Sequence, residues 1–134
     1  MYYTTSLDPQ VSDTDMQGHI NFLAYSNWFD RARTKIYREF SPELDFSEYG
    51  VAVLHTDVDF LHETYASHDV EIRTWVNLIG EDSFEVTQEL YQQGKRCAHS
   101  KTVLSIFDFT RRERTPIPPS FRKALKRYQY DPSA

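Results

Sequence analysis

Apolar positions along the chain follow two periods, and the first of them predicts one long helix. Between Asn21 and Phe40, apolar side chains recur at spacings of three and four, as on one face of an α-helix. These positions are Phe22, Tyr25, Phe29, Ala32, Ile36 and Phe40. Leu23, Ala24 and Trp28 widen the face, so we expect a deeply packed helix. Asn21 suits the N-cap position, and Ser41-Pro42 follows the helix and ends it.

After Gly50 the period becomes two, which is typical of β-strands. The predicted strands are Val51–His62, His68–Ile79, Ser83–Leu90 and Lys95–Phe109. In the second strand we expect one face to carry Val70, Ile72, Thr74, Val76 and Leu78; in the third it carries Phe84, Val86, Gln88 and Leu90. Turns are predicted at Gly80-Glu81-Asp82 and at Gln92-Gln93-Gly94.

The two ends of the chain complete the expected architecture. The first dozen residues favour a strand interrupted near Pro9, and Ser120 is expected to cap a short C-terminal helix that carries Phe121, Leu125 and Tyr128. Short connections favour antiparallel neighbours. We therefore predict an α+β domain over residues 1–134, with one long buried helix wrapped by a curved five-stranded antiparallel sheet. Unpaired sheet edges favour assembly into a homodimer or homotetramer.

Composition narrows the class of protein. The 134 residues suit a single domain, and nine Phe, nine Tyr and two Trp are enough to form a core. No apolar run approaches the ~20 residues of a membrane span, and the N-terminus lacks a signal peptide's pattern, so we expect a cytoplasmic protein. A net charge of −5 argues against nucleic-acid binding. The one cysteine, Cys97, beside His99, is expected to be a small, half-buried strand side chain rather than a nucleophile.

The densest group of chemically active side chains lies just before the predicted helix. It is the segment Val11-Ser12-Asp13-Thr14-Asp15-Met16-Gln17-Gly18-His19-Ile20-Asn21. A helix N-terminus presents free N–H groups and positive potential that suit an oxyanion, and a nearby carboxylate can act as a base or nucleophile. The same residue types also serve merely as turn and capping residues. Metal ligation by Asp13, Asp15 and His19 is a weaker hypothesis, since the other histidines are scattered, and we expect no metal.

This segment, together with Tyr25, Phe29 and the Ala32-Arg33 pair, resembles the signature of 4-hydroxybenzoyl-CoA thioesterase-like hotdog proteins. The resemblance implies hydrolysis of an acyl-CoA to free acid and CoA. It implies that Asp15 is the catalytic carboxylate and that the Phe22 amide, or a neighbour, polarises the thioester carbonyl. His19 and Asn21 match a Gly-His-x-Asn version of the motif and are assigned supporting roles. Asp13 is expected to shape the turn.

The resemblance also implies how CoA is bound, and two alternatives to it stay open. It implies that CoA enters as part of the substrate, without another cofactor, and that its phosphates meet Lys101, Arg111 and Arg112; a merely solvated basic face is the alternative. A second hypothesis is a hotdog protein that binds an acyl thioester without hydrolysing it. Hotdog dehydratases typically use a helix His, which this helix lacks.

Overall fold

The computed structural model describes residues 1–15 and 18–133 and shows helices packed against one antiparallel sheet. Met16 and Gln17 of the motif lie outside the described residues. The strands are β1 (Tyr3–Leu7), β2 (Tyr49–Phe60), β3 (Val70–Ile79), β4 (Ser83–Gln92), β5 (Lys95–Asp108) and β6 (Glu113–Thr115). The helices are α1 (Phe22–Ala32), α2 (Thr34–Phe40) and α3 (Pro119–Arg127), and a single 3-10 turn covers Val11–Asp13.

The sheet has six strands, so the prediction of five is wrong in number. The strand order is β1-β3-β4-β5-β2, and β6 pairs with the end of β5. Three residues are too few to show an alternation of apolar and polar positions, which is why β6 escaped the pattern. Strands β2 to β5 match the predicted ones to within a few residues at each end, and β1 lies in the first dozen residues, where a strand was predicted.

The predicted long helix is present but is interrupted at Arg33, between α1 and α2. Arg33 is only 6% exposed, and its guanidinium Nη1 donates to Gln88 Oε1 at 2.9 Å and to Thr102 Oγ1 at 3.4 Å. A buried cation needs such partners. The spacing of apolar residues along the segment does not reveal this interruption.

Asn21 is the N-cap of α1, as predicted, because its side chain accepts a hydrogen bond from the Leu23 N–H. The first two side chains of the helix are not buried, contrary to expectation: Phe22 is 64% exposed and Leu23 is 65% exposed. The buried face of the helix begins with Ala24 and Tyr25 and continues through Trp28 and Phe29. Burial of each such large apolar side chain contributes about 1.5–3 kcal/mol.

A β-bulge in β3 reverses one predicted side-chain direction. Val70, Ile72, Thr74 and Val76 are fully buried as expected, but the register with β4 shifts between Val76 and Leu78. Leu78 is therefore 63% exposed rather than in the core. In β4 the four residues predicted to face the core are all buried, although Thr87 of the opposite face is buried too.

One predicted turn is present, and one predicted helix cap is not. Gln93 and Gly94 have φ angles of 52° and 77°, as the two central residues of a tight hairpin turn require, and so join β4 to β5 where a turn was predicted. Helix α3 begins at Pro119, with Pro118 as its N-cap, so the prediction that Ser120 caps this helix is wrong. Proline is pre-organised for the first helical turn.

No helix within the described residues is long and apolar enough to cross a membrane.

Candidate active site

The loop before α1 is tied at its two ends. The Gln10 N–H donates to Asp13 Oδ2 at 2.8 Å, which gives Asp13 a structural contact in the 3-10 turn. The Asn21 N–H donates to the Asp13 carbonyl at 2.7 Å. The second bond holds Asp13 next to Asn21, at the beginning of the helix.

Within this loop, Asp15 and His19 face each other. The Asp15 N–H donates to the His19 carbonyl at 2.8 Å, and the His19 N–H donates back to Asp15 Oδ1 at 3.2 Å. Gly18 makes the return possible, because its φ of 80° is a conformation that side chains disfavour. Hydrogen bonding to the His19 backbone thus helps to fix the position of the Asp15 carboxylate.

The N-terminus of α1 has its second and third N–H groups occupied. Leu23 N–H bonds to Asn21 Oδ1, and Ala24 N–H bonds to the Asn21 carbonyl at 2.9 Å. The Phe22 N–H has no hydrogen-bond acceptor among residues 1–15 and 18–133. It is therefore available at the positive end of an eleven-residue helix.

A cavity of about 410 Å³ joins this helix end to the end of β2. Its wall contains both the predicted carboxylate, Asp15, and the residue of the predicted oxyanion donor, Phe22, and His19 lines it as well. Its other lining residues are Ile20, Tyr25, Phe60, Leu61, His62, Glu63 and Thr64. The Ile20 N–H donates to the Thr64 carbonyl at 2.8 Å and so holds the two walls together. Asn21 does not line the cavity; its side chain caps the helix.

Glu63 is a cavity residue that the sequence reasoning missed. His19 Nε2 lies 3.4 Å from Glu63 Oε2, and the Tyr65 hydroxyl donates to the same oxygen at 3.0 Å. This hydrogen bond raises the pKa of the Tyr65 hydroxyl. The rings of His19 and Tyr65 meet edge to face at 5.1 Å. Glu63 follows a predicted strand and shows no motif, so no local signal marks it.

Tyr25 and Phe60 form an aromatic part of the cavity wall. The Tyr25 ring meets the Phe60 ring edge to face with centroids 5.0 Å apart. Burial is the main reason why the pKa of the Tyr25 hydroxyl is raised. The hydroxyl therefore stays protonated at neutral pH, and Tyr25 contributes a neutral wall.

The three basic residues proposed to meet CoA phosphates do not line this cavity. Lys101 lines another cavity, on the outer face of the sheet with Trp75. Arg111 and Arg112 lie in the turn between β5 and β6, where Arg111 Nε is 3.9 Å from Asp108 Oδ2. The structure therefore does not bring them together with Asp15 in one protomer.

Other predicted features can be placed as well. Cys97 is a small side chain in β5, as expected, but it is buried rather than half-buried. Among the residues that the structure describes, no group of three or more His, Cys, Asp or Glu is arranged to hold a metal ion.

Comparison with known proteins assigns the family. Residues 9–125 match the model of the thioesterase-like superfamily. The solved structure of a predicted thioesterase from Bacillus stearothermophilus is 31% identical, with a TM-score of 0.94 and coverage of 98% of this chain and 99% of that one.

Two further relatives have named substrates. The 1,4-dihydroxy-2-naphthoyl-CoA hydrolase of Synechococcus elongatus is 26% identical over 114 residues, which are 81% of this chain and 84% of that protein. Slr0204, a 1,4-dihydroxy-2-naphthoyl-CoA thioesterase from Synechocystis, shares the fold at 16% identity, with a TM-score of 0.82 and coverage of 94% and 96%. The chain therefore belongs to the thioesterase-like superfamily, and it is a thioester hydrolase with the hotdog fold.

Proposed function

We propose that this protein hydrolyses acyl-CoA thioesters to the free acid and CoA, with Asp15 as the reacting carboxylate and the Phe22 N–H as the oxyanion donor. One observation supports this most: Asp15 and the N-terminal residue of α1 line the same cavity. Preorganised donors at the site where negative charge develops are usually the largest contribution to such catalysis.

The proposed reaction begins with the thioester carbonyl oxygen at the Phe22 N–H. In one route Asp15 takes a proton from water while the water oxygen attacks the carbonyl carbon. The tetrahedral intermediate then collapses, the C–S bond breaks, and CoA thiolate leaves and is protonated by solvent. In the other route Asp15 itself attacks, CoA thiolate leaves, and water hydrolyses the mixed anhydride. In a single turnover in ¹⁸O water, labelling of Asp15 would show the second route with water attacking the Asp15 carboxyl carbon, because attack at the acyl carbon puts the label in the free acid in either route.

His19 and Asn21 support this site in different ways. The His19 N–H holds Asp15 Oδ1, so His19 acts first through its backbone. Asn21 caps the Leu23 N–H and leaves the preceding amide, that of Phe22, for the substrate. Both residues therefore position other groups of the site, and neither reacts with the substrate.

The cavity favours an aromatic acyl group. Phe22, Tyr25 and Phe60 give it aromatic walls between the helix and β2. Aromatic rings pack well against each other in offset or edge-to-face geometry. The named relatives act on a naphthoyl-CoA, an aromatic acyl thioester, which supports the same class here.

A panel of acetyl-, octanoyl-, benzoyl- and 4-hydroxybenzoyl-CoA tests the activity by release of free thiol. We expect kcat/KM for the two aromatic substrates to exceed that for acetyl-CoA by about 100-fold, because burying an aromatic ring contributes about 2–3 kcal/mol. Tight binding of all four without thiol release would contradict hydrolysis and support the non-hydrolytic binding protein instead.

The exposed edge of β2 supports a homodimer. Strand β2 is terminal in the sheet, and its sole strand partner within the described residues is β5. Its edge is twelve residues long and carries Val53 and Leu54, which are about half exposed. Long apolar edges pair readily with another strand. We propose that β2 pairs with β2 of a second copy.

Val53→Glu is expected to weaken dimerisation at least tenfold, since it places like charges near the twofold axis of the pairing. Sedimentation velocity over a concentration series measures the change. Leu78→Glu changes another exposed apolar residue of the sheet, serves as the control and leaves a dimer intact. Dissociation by Leu78→Glu alone would place the interface around Leu78 instead.

A further inference from the structure

A second cavity adjoins the Asp15 cavity and differs from it in chemistry. It measures about 420 Å³ and shares two lining residues, His62 and Glu63, with the first. The first cavity has mostly apolar and aromatic walls. The second is lined in addition by Tyr65, Gln92, Gln93 and Lys95. We call this second cavity the polar cleft.

The wall of the polar cleft is rigid because Gln92 is held on both sides of its amide. Gln92 Oε1 accepts from the Tyr65 N–H at 2.9 Å, and Gln92 Nε2 donates to the Tyr65 carbonyl at 2.7 Å and to the His68 carbonyl at 2.8 Å. These bonds connect β4 to the segment between β2 and β3. A buried amide with its polar atoms satisfied is a stable element of structure.

Lys95 lines the polar cleft with its charge available. It is the first residue of β5, immediately after the tight turn at Gln93-Gly94, and it is exposed. Its ammonium forms no ion pair with any residue of the described ranges, whereas the neighbouring Arg96 is bound to Glu89 at 2.6 Å. Lys95 therefore presents a free cation, and Arg96 does not.

We propose that the polar cleft receives the pantetheine arm of the substrate and that Lys95 meets its phosphates. The proposal rests on the proposed acyl-CoA hydrolysis. An acyl-CoA has an apolar acyl end and a long amide-containing arm that ends in phosphates, and the thioester lies between them. The two cavities offer matching surroundings: a mostly apolar cavity with Asp15, shared walls at His62 and Glu63, and a polar cleft whose lining includes the Lys95 cation. Lys95 then takes the role that the sequence assigned to Lys101, Arg111 and Arg112.

The experiment compares benzoyl-CoA with benzoyl-pantetheine, which has the arm but no phosphate. For Lys95→Ala, the ratio of kcat/KM for benzoyl-CoA to that for benzoyl-pantetheine is expected to fall about fivefold to tenfold, mainly through KM, because a charge-assisted contact to phosphate is lost. Lys95→Glu is expected to lower the ratio further, and Lys95→Arg to restore it. The salt dependence of KM for benzoyl-CoA should also weaken in Lys95→Ala.

Lys123→Ala removes an exposed lysine of α3 and is the matched control, with an unchanged ratio. An unchanged ratio in Lys95→Ala, or a fall in Lys101→Ala instead, would overturn the proposal while the wild-type protein still hydrolyses benzoyl-CoA. Failure of the wild type to hydrolyse either thioester would instead contradict the proposed function, so the two failures are distinct.

Discussion

Asp15→Asn is expected to lower kcat for acyl-CoA hydrolysis by about a thousandfold, with little change in thermal stability. The amide keeps the shape of the carboxylate, and its oxygen can still accept the His19 N–H that now binds Asp15 Oδ1. It can neither take a proton from water nor attack a carbonyl, and loss of a general base costs about 10²–10⁴-fold in rate. Steady-state thiol release, alongside a melting curve, measures both effects.

Asp13→Asn is the matched control for this variant. Asp13 is two residues away, accepts the Gln10 N–H through Oδ2, and does not line the Asp15 cavity. An Asn side chain can accept the same bond, so activity should stay within about twofold of the wild type. Activity of Asp15→Asn within tenfold of the wild type would remove Asp15 from the reaction, and the activity would then require another base.

Gln88→Leu is expected to lower the free energy of unfolding by about 3 kcal/mol. Gln88 is fully buried; its Oε1 accepts from Arg33 Nη1 at 2.9 Å, and its Nε2 donates to the Phe29 carbonyl at 2.9 Å. A leucine of similar size removes both of these hydrogen bonds inside the core. Arg33 keeps its ion pair with Asp30 and the longer contact with Thr102, so the cost comes from the two lost buried hydrogen bonds. Urea unfolding followed by circular dichroism measures the loss.

Two further variants distinguish the loss of the contact between Arg33 and Gln88 from the general effect of replacing Gln by Leu. Gln129→Leu changes the same residue type at an exposed position and should stay within about 0.5 kcal/mol of the wild type. Combining Gln88→Leu with Arg33→Met should cost less than the sum of the single changes, by about 1 kcal/mol or more, because the two side chains contact each other. Additive costs would show that the contact between Arg33 and Gln88 contributes little to stability.

The elements of the fold were predictable because each has a local cause. Alternation placed Gln88 on the same face of its strand as Phe84 and Leu90, and all three are buried. The N-cap at Asn21 and the turn at Gln93-Gly94 follow from residue types that prefer those conformations. The exceptions also have local explanations: β6 is too short to show a period, and the bulge before Leu78 breaks one.

By itself, the sequence determined the order of the elements and a carboxylate at Asp15 just ahead of a helix, because capping, periodicity and motif spacing are properties of neighbouring residues. Only the tertiary structure decided that Glu63 and Tyr65 meet His19, that Arg33 interrupts the helix and contacts Gln88, and that Lys95 lines the polar cleft. These contacts join residues tens of positions apart. Their existence depends on which strand edges and helix faces pack together, and packing is a property of the whole folded chain.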